Sequence, residues 1–222
     1  MNFLSALKGK LIVSCQALPD EPLHSSFIMG RMALAAKEGG ARAIRAQGAA
    51  DIFEIKKITG LPVIGLIKRN YEDSPIYITP TMTEVEALIT TECEMIALDM
   101  THRRRPADEK AENLLTHIHG AGRLALADIS TYDEGIAAAK MGAVAVSTTL
   151  SGYTPYSPQL EGPDAELVAR LSQELSVPVF AEGRIHVPAD ISRVMSAGAY
   201  APIVGSAITR PQLITAKFAQ RL

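Results

Sequence analysis

Tryptophan is absent from this sequence and only 5% of its residues are aromatic, so any large core must be built from aliphatic side chains. Cysteine is nearly absent as well. Cys15 and Cys93 stand far apart with no CxxC spacing and no metal-ligand companions, which excludes a disulfide scaffold and a zinc module. A reduced, cytoplasmic protein is expected. No apolar run is long enough to span a bilayer, and the first residues carry no apolar segment bounded by a cleavage site, so neither secretion nor a membrane anchor is expected. Neither sign of charge is in excess. The net charge of −2 offers no general attraction to nucleic acid or to an anionic membrane surface. One basic cluster, HRRRP at 102–106, reads as a solvated loop or as one that meets a small anionic ligand.

What is present is a repeat of one architectural unit. Short apolar runs recur at LIVSC (11–15), ARAIRA (41–46), LPVIGLI (61–67), MIAL (95–98), RLALA (123–127), AVAVS (143–147), VPVFA (177–181) and APIVG (201–205). Between them lie stretches with apolar residues at three- and four-residue spacing, such as SSFIMGRMALAAKEGG and GPDAELVARLSQELS. Strands separated by helices run parallel, and parallel strands covered on both faces read as continuous apolar runs. A strand beginning every ~20–35 residues matches a (β/α)8 barrel, also called a TIM barrel. The expectation is one such domain over residues 1–222. The alternative is an open doubly wound sheet, but no GxGxxG follows the first run.

In such a barrel the active site is assembled where the strands end and the following loops begin. The first run ends in Gln16, the second carries Arg45 and the third runs into Lys68. The later ones end in Asp99, Asp128, Thr148 and Thr149, Glu182 and Gly183, and Gly205 and Ser206. Each has a bland explanation, since strands end where water begins. Together they converge on one cavity. AEGRI and VGSAITR place glycines directly after the last two strands, where barrels of this kind often hold a phosphate. GSAIT is expected to open a short helix toward that anion, with Arg210 adding a full charge in fork geometry. A lysine in a cavity beside another cation gives up its proton more easily, so Lys68 is a candidate general base or acid, or a Schiff-base nucleophile.

The histidines do not form a metal set. His117 and His119 lie two apart on a helix and so face different ways, at surface or cap positions with His102 nearby. His24 and His186 belong to loops on the catalytic rim. The eight methionines read as core filler.

The segments GKLIVSCQALPDEPLHSS (9–26), VIGLIKRN (63–70), IALDMTHRRRP (96–106), ADIST (127–131), STTLSGYT (147–154), AEGRI (181–185) and VGSAITRP (204–211) resemble the N-acylmannosamine-6-phosphate 2-epimerase family of sialic acid catabolism. The resemblance runs over nearly the whole chain, with motifs on different strands in the family's order. It implies interconversion of N-acetylmannosamine 6-phosphate and N-acetylglucosamine 6-phosphate, without metal or nicotinamide cofactor. It also implies Lys68 as catalytic lysine and Glu182 as catalytic glutamate. Gln16, Arg45 and Asp128 would then contact the sugar, and Gly183, Gly205, Ser206 and Arg210 the phosphate. One departure is visible: members of the family tend to carry Gly where this chain has Ser147, at the start of the sixth loop. Two other readings stay open on the residues alone, a Schiff-base lyase using Lys68 and a non-catalytic sugar-phosphate-binding protein. The tail PQLITAKFAQRL either closes the barrel or meets a second copy in a homodimer.

Overall fold

Eight parallel strands pair in sequence order, and the last returns to the first. They are β1 (Ile12–Cys15), β2 (Ala43–Gln47), β3 (Val63–Leu66), β4 (Met95–Asp99), β5 (Leu124–Asp128), β6 (Ala145–Ser147), β7 (Val179–Glu182) and β8 (Ala201–Val204). The barrel closes where Ile12 pairs with Ile203 and Val13 with Val204. The computed structural model describes residues 3–221. After a short leading helix α1 (Phe3–Leu7), helices α2 (Ser26–Glu38), α3 (Ala49–Thr59), α4 (Met82–Ile89), α5 (Ala111–Gly120), α6 (Tyr132–Lys140), α7 (Ala165–Glu174) and α8 (Pro188–Ser196) follow the first seven strands. After β8 come α9 (Ser206–Thr209) and α10 (Pro211–Ala219). The fold is the expected (β/α)8 barrel, and each apolar run became a strand within a few residues of its reading.

The two-residue period of a strand sorts the side chains. One set, including Ile12, Ala43, Ile64, Leu66, Met95, Ala97, Leu126, Ala145, Phe180, Ala201 and Ile203, packs into a single cluster inside the barrel. Leu7 of α1 joins that cluster and plugs the end where the strands begin. The other set, including Val13, Ile44, Val63, Ile96, Leu98, Val146, Val179 and Val204, packs against the surrounding helices. Continuing the inward parity leads from Ile12 to Ser14 and Gln16, from Ala43 to Arg45, and from Leu66 to Lys68. It leads likewise from Leu126 to Asp128, Ala145 to Ser147 and Thr149, Phe180 to Glu182, and Ile203 to Gly205. The apolar plug therefore turns polar at the level where the strands end.

Two local expectations are corrected, that all the methionines fill the core and that HRRRP is a solvated loop. Met29, Met95 and Met100 are buried, and Met32, Met82 and Met195 pack against the core, but Met141 is 40% exposed. It caps the C-terminus of α6, beyond the face that meets the sheet; Met1 lies outside the described residues. HRRRP is not a freely solvated loop. Arg103 pairs with Asp99 at 2.6 Å, and Arg104 with Asp108 at 2.6 Å. Arg105 is buried and donates to the carbonyls of Pro80 and Asp99. His119 sits in the last turn of α5, its ring within hydrogen-bonding distance of the Arg123 and Gly142 carbonyls, which is a capping position. Cys15 and Cys93 are free and buried. Among the described residues no helix is long and apolar enough to cross a membrane.

Candidate active site

The cavity at the strand ends is lined by Ser14, Gln16, Arg45, Lys68, Thr149, Glu182, Gly183, Gly205, Ser206 and Arg210, with Tyr77, Ile78, Tyr153, Arg184 and others completing the wall. Every predicted site residue but one is therefore on its surface. Asp128 lies just behind it, fully buried, its two oxygens accepting from the Arg45 guanidinium at 2.9 and 2.5 Å. Arg45 also donates to Glu182 Oε2 at 2.8 Å. A cation that is 1% exposed is costly without partners. Burial works against its charge, but the two carboxylates outweigh that and hold it more firmly protonated than usual.

Lys68 stands two residues beyond the end of β3. Its backbone N–H donates to Gln47 Oε1 at 3.1 Å, and an isolated antiparallel bridge to Ile78 folds the next loop back over the strand end. Among the described residues no carboxylate pairs with its ammonium within salt-bridge distance. Burial lowers its pKa first, and the nearby Arg45 and Arg210 lower it further, against the opposing pull of Glu182 and Glu21; it falls to about 8. Near neutral pH a usable fraction of such an amine is free base. Glu182 moves the opposite way: burial and the neighbouring Asp128 raise it, against Arg45.

At the mouth the lining is Gly183, Gly205, Ser206 and Arg210. Gly183 has φ +99, a backbone conformation that favours glycine, and an added Cβ would meet the Thr149 carbonyl at 3.5 Å. Gly205 caps α9, whose first residue is Ser206. Arg210 is fixed by Glu21, from the loop after β1, through contacts of 2.5 and 2.9 Å. Glu21 also accepts from the Leu18 N–H at 2.8 Å and from Gln212 at 3.3 Å. Accepting from Arg210 lowers the Glu21 pKa, so the pair stays doubly charged.

Of the strand-end residues, Asp99, Asp128 and Thr148 do not line the cavity. Asp99 shares the inward parity yet is held by Thr101 and Arg103 instead of lining the cavity. Thr148 is structural as well, its hydroxyl donating to the Glu182 carbonyl. Sequence reasoning missed Glu21, Tyr77, Tyr153 and Arg184. They lie in loops, where no periodicity marks which side chain turns inward. Arg184 had one usable signal in its neighbours. Its guanidinium donates to the Ser151 carbonyl and to Gly162, and a Cβ on Gly152 (φ +80) would collide with it, so the SG of LSGYT makes room for it. His24 rests on the Ala17 carbonyl at 3.1 Å, and His186 is exposed; neither lines the cavity. Among the described residues no group of three His, Cys, Asp or Glu is placed to hold a metal ion.

Residues 29–222 match the family described as "Putative N-acetylmannosamine-6-phosphate epimerase". The chain is 62% identical over 215 residues to a "Putative N-acetylmannosamine-6-phosphate 2-epimerase" of Clostridium perfringens (strain ATCC 13124), covering 97% of each. It is 62% identical over 219 residues to the protein of the same name from Clostridioides difficile (strain 630), covering 99% of this chain and 98% of that one. Its fold superposes on the solved N-acetylmannosamine-6-phosphate 2-epimerase from Clostridium perfringens with a TM-score of 0.98 at 60% identity, covering 100% of this chain and 97% of that one. With its barrel, its strand-end lysine and these relatives, the chain belongs to the N-acetylmannosamine-6-phosphate epimerase family.

Proposed function

We propose that this protein interconverts N-acetylmannosamine 6-phosphate and N-acetylglucosamine 6-phosphate by removing and returning the proton at C2, with Lys68 as the acid–base group. The observation that carries this reading is Lys68 itself, half-buried at a strand end near two arginines, with its pKa lowered to about 8. C2 of an N-acetylhexosamine is acidic only when C1 is a carbonyl, so the sugar reacts in its open-chain form. Lys68 as free amine takes the C2 proton, leaving an enediolate-like intermediate, and a proton returned to the opposite face inverts the centre. Gln16 Oε1 and Arg45 Nε are buried without a protein partner, an acceptor and a donor suited to the sugar's hydroxyl and oxyanion. Donors preorganised at a developing oxyanion contribute ~2–4 kcal/mol each in acyl-transfer enzymes. Gly183, Gly205, Ser206 and Arg210 hold the phosphate at the mouth. Glu182 and Asp128 orient the deep end and handle the protons of ring opening.

The test is proton NMR of N-acetylmannosamine 6-phosphate with the enzyme in D₂O, repeated with Lys68→Met. Epimer carrying deuterium at C2, lost in the variant, supports the reading. No turnover removes it, and borohydride trapping of substrate on Lys68 would replace it with Schiff-base chemistry.

We further propose a homodimer, in the cytoplasm, of one-domain protomers spanning residues 1–222. Helix α10 has no buried residue, and Leu213 and Phe218 are 48% and 75% exposed. The two buried free thiols fit a reducing compartment. Phe218→Asp is expected to shift sedimentation toward monomer; wild-type enzyme that sediments as a monomer ends that part of the reading.

A further inference from the structure

Thr149, in the turn after β6, places its hydroxyl oxygen 2.6 Å from Asp128 Oδ1, 2.9 Å from Glu182 Oε2 and 2.8 Å from Ser147 Oγ. A threonine hydroxyl has one proton to give and two lone pairs with which to accept. Ser147 can donate to it, which accounts for one neighbour. The single Thr149 proton cannot make a full, linear bond to both carboxylate oxygens. If both acids were ionised, one of these contacts would set two oxygens face to face with no proton between them. The shorter contact is the one to Asp128, as a charge-assisted bond to an ionised acceptor requires.

We propose that Glu182 is protonated in the resting enzyme and donates to Thr149, which donates to Asp128, so that Thr149 is a positioning residue that makes the two carboxylates one proton-holding unit. The groups facing Glu182 agree with this assignment. Arg45 from β2 already neutralises Asp128 through two bonds, and its Nη1 is shared with Glu182. Lys68, beyond β3, is a weakened cation in the same enclosure. Burial and Asp128 both push Glu182 toward its neutral form.

The arrangement also gives Asp128 its route to the cavity. Asp128 is fully buried, whereas Thr149 and Glu182 line the wall. In one relay step the Glu182 O–H bond breaks as an O–H bond forms at Thr149 Oγ1. The original Thr149 O–H bond breaks as one forms at Asp128 Oδ1. The negative charge moves from Asp128 to Glu182, and no further reactant is needed. The step leaves Glu182 ready to accept a proton from the sugar. Its reverse re-arms Glu182 as an acid. Ser147 is part of the device, since its hydroxyl is the second donor to Thr149; a glycine there removes that donor.

This inference deepens the epimerase reading, but its test needs no turnover. Infrared difference spectra between wild type and Glu182→Gln at neutral pH are expected to show a protonated-carboxyl C=O stretch belonging to wild type. In Thr149→Val that band should move to higher frequency, because its acceptor is gone, and Thr149→Ser should restore its position. The kcat should fall about tenfold or more in the valine variant and recover with serine, the range expected when a positioned acid–base group is disturbed. Absence of the band in wild type, or a band unmoved by Thr149→Val, overturns the proposal. If Thr149→Val does not fold, the wild-type and Glu182→Gln spectra still decide it. An enzyme that turns over without the band sinks the relay alone, and a band in a protein with no turnover sinks the epimerase reading alone.

Discussion

Arg45 and Arg210 line opposite ends of one cavity. Arg45, at the bottom, is 1% exposed and divides its donors between Asp128 and Glu182. Arg210, at the mouth, is 28% exposed, and its carboxylate partner there is Glu21. The bottom is a closed network in which each charge is defined by its neighbours, so a change there disturbs folding and proton transfer together. The mouth is open to solvent, and under the proposed function a change there is expected mainly as lost grip on the substrate's phosphate. Under the proposed function, the difference separates residues that would perform chemistry from residues that would supply affinity.

The sharpest way to break that division is Lys68→Met. The kcat is expected to fall by ~10³- to 10⁴-fold, at the upper end of what a positioned acid–base group contributes, with the phosphate end of binding retained. In the wild type, activity should rise with pH and level off above about 8, as the lysine becomes free base. A flat profile between pH 6 and 8 would detach Lys68 from the chemistry.

Arg45→Met comes next. It leaves Asp128 buried without its cation and takes a donor from Glu182, and removing one partner of a buried ion pair costs ~3–5 kcal/mol. Urea unfolding should show that loss. An unfolding midpoint near wild type would mean the network is looser than its distances.

Lys68→Met should also stabilise the protein, which separates function from folding at a single residue. Its pKa is depressed from the ordinary 10.5 to about 8, so the unfolded chain holds the proton more tightly than the folded one. Stability therefore rises with pH between about 8 and 10.5, and below that window the native state bears the full penalty of ~3 kcal/mol. The variant is expected to gain that much at pH 7 and nothing near pH 11. A pH-independent difference would contradict the depressed pKa.

How far the cavity was legible in the sequence follows from the same two ends. The bottom was readable because strands have a period of two. Once Leu66 faces inward Lys68 must do so too, and the same holds for Ala43 with Arg45 and for Phe180 with Glu182. Asp99 has that parity and still does not reach the wall, because its own loop supplies Arg103 and Thr101 as closer partners. No periodicity encodes such local competition. The mouth was only half readable: glycines after the last two strands marked its wall, but Glu21 sits on a loop from the opposite end of the chain. Nothing in its spacing marks it as the partner of Arg210, 189 residues away.

The remaining predictions probe that mouth, where effects are smaller. Arg210→Met removes one charged donor and should raise KM ~10- to 100-fold with kcat nearly kept, in line with ~1.5–3 kcal/mol for a hydrogen bond to a charged group. Glu21→Gln asks something finer. Glutamine keeps the shape and still accepts through its carbonyl oxygen, so Arg210 retains one of its two bonds, but Arg210 is no longer neutralised. If Glu21 serves only to orient the guanidinium, KM rises a few-fold. If its charge competes with the phosphate for Arg210, KM falls instead, and inorganic phosphate inhibits more strongly. Orientation is the expected outcome, because Glu21 takes the Nε and Nη2 positions of the guanidinium and leaves Nη1 to the cavity. The pair is only partly exposed, but it lies at the open mouth, where an ion pair contributes ~1 kcal/mol or less, so the change should stay within about fivefold in either direction.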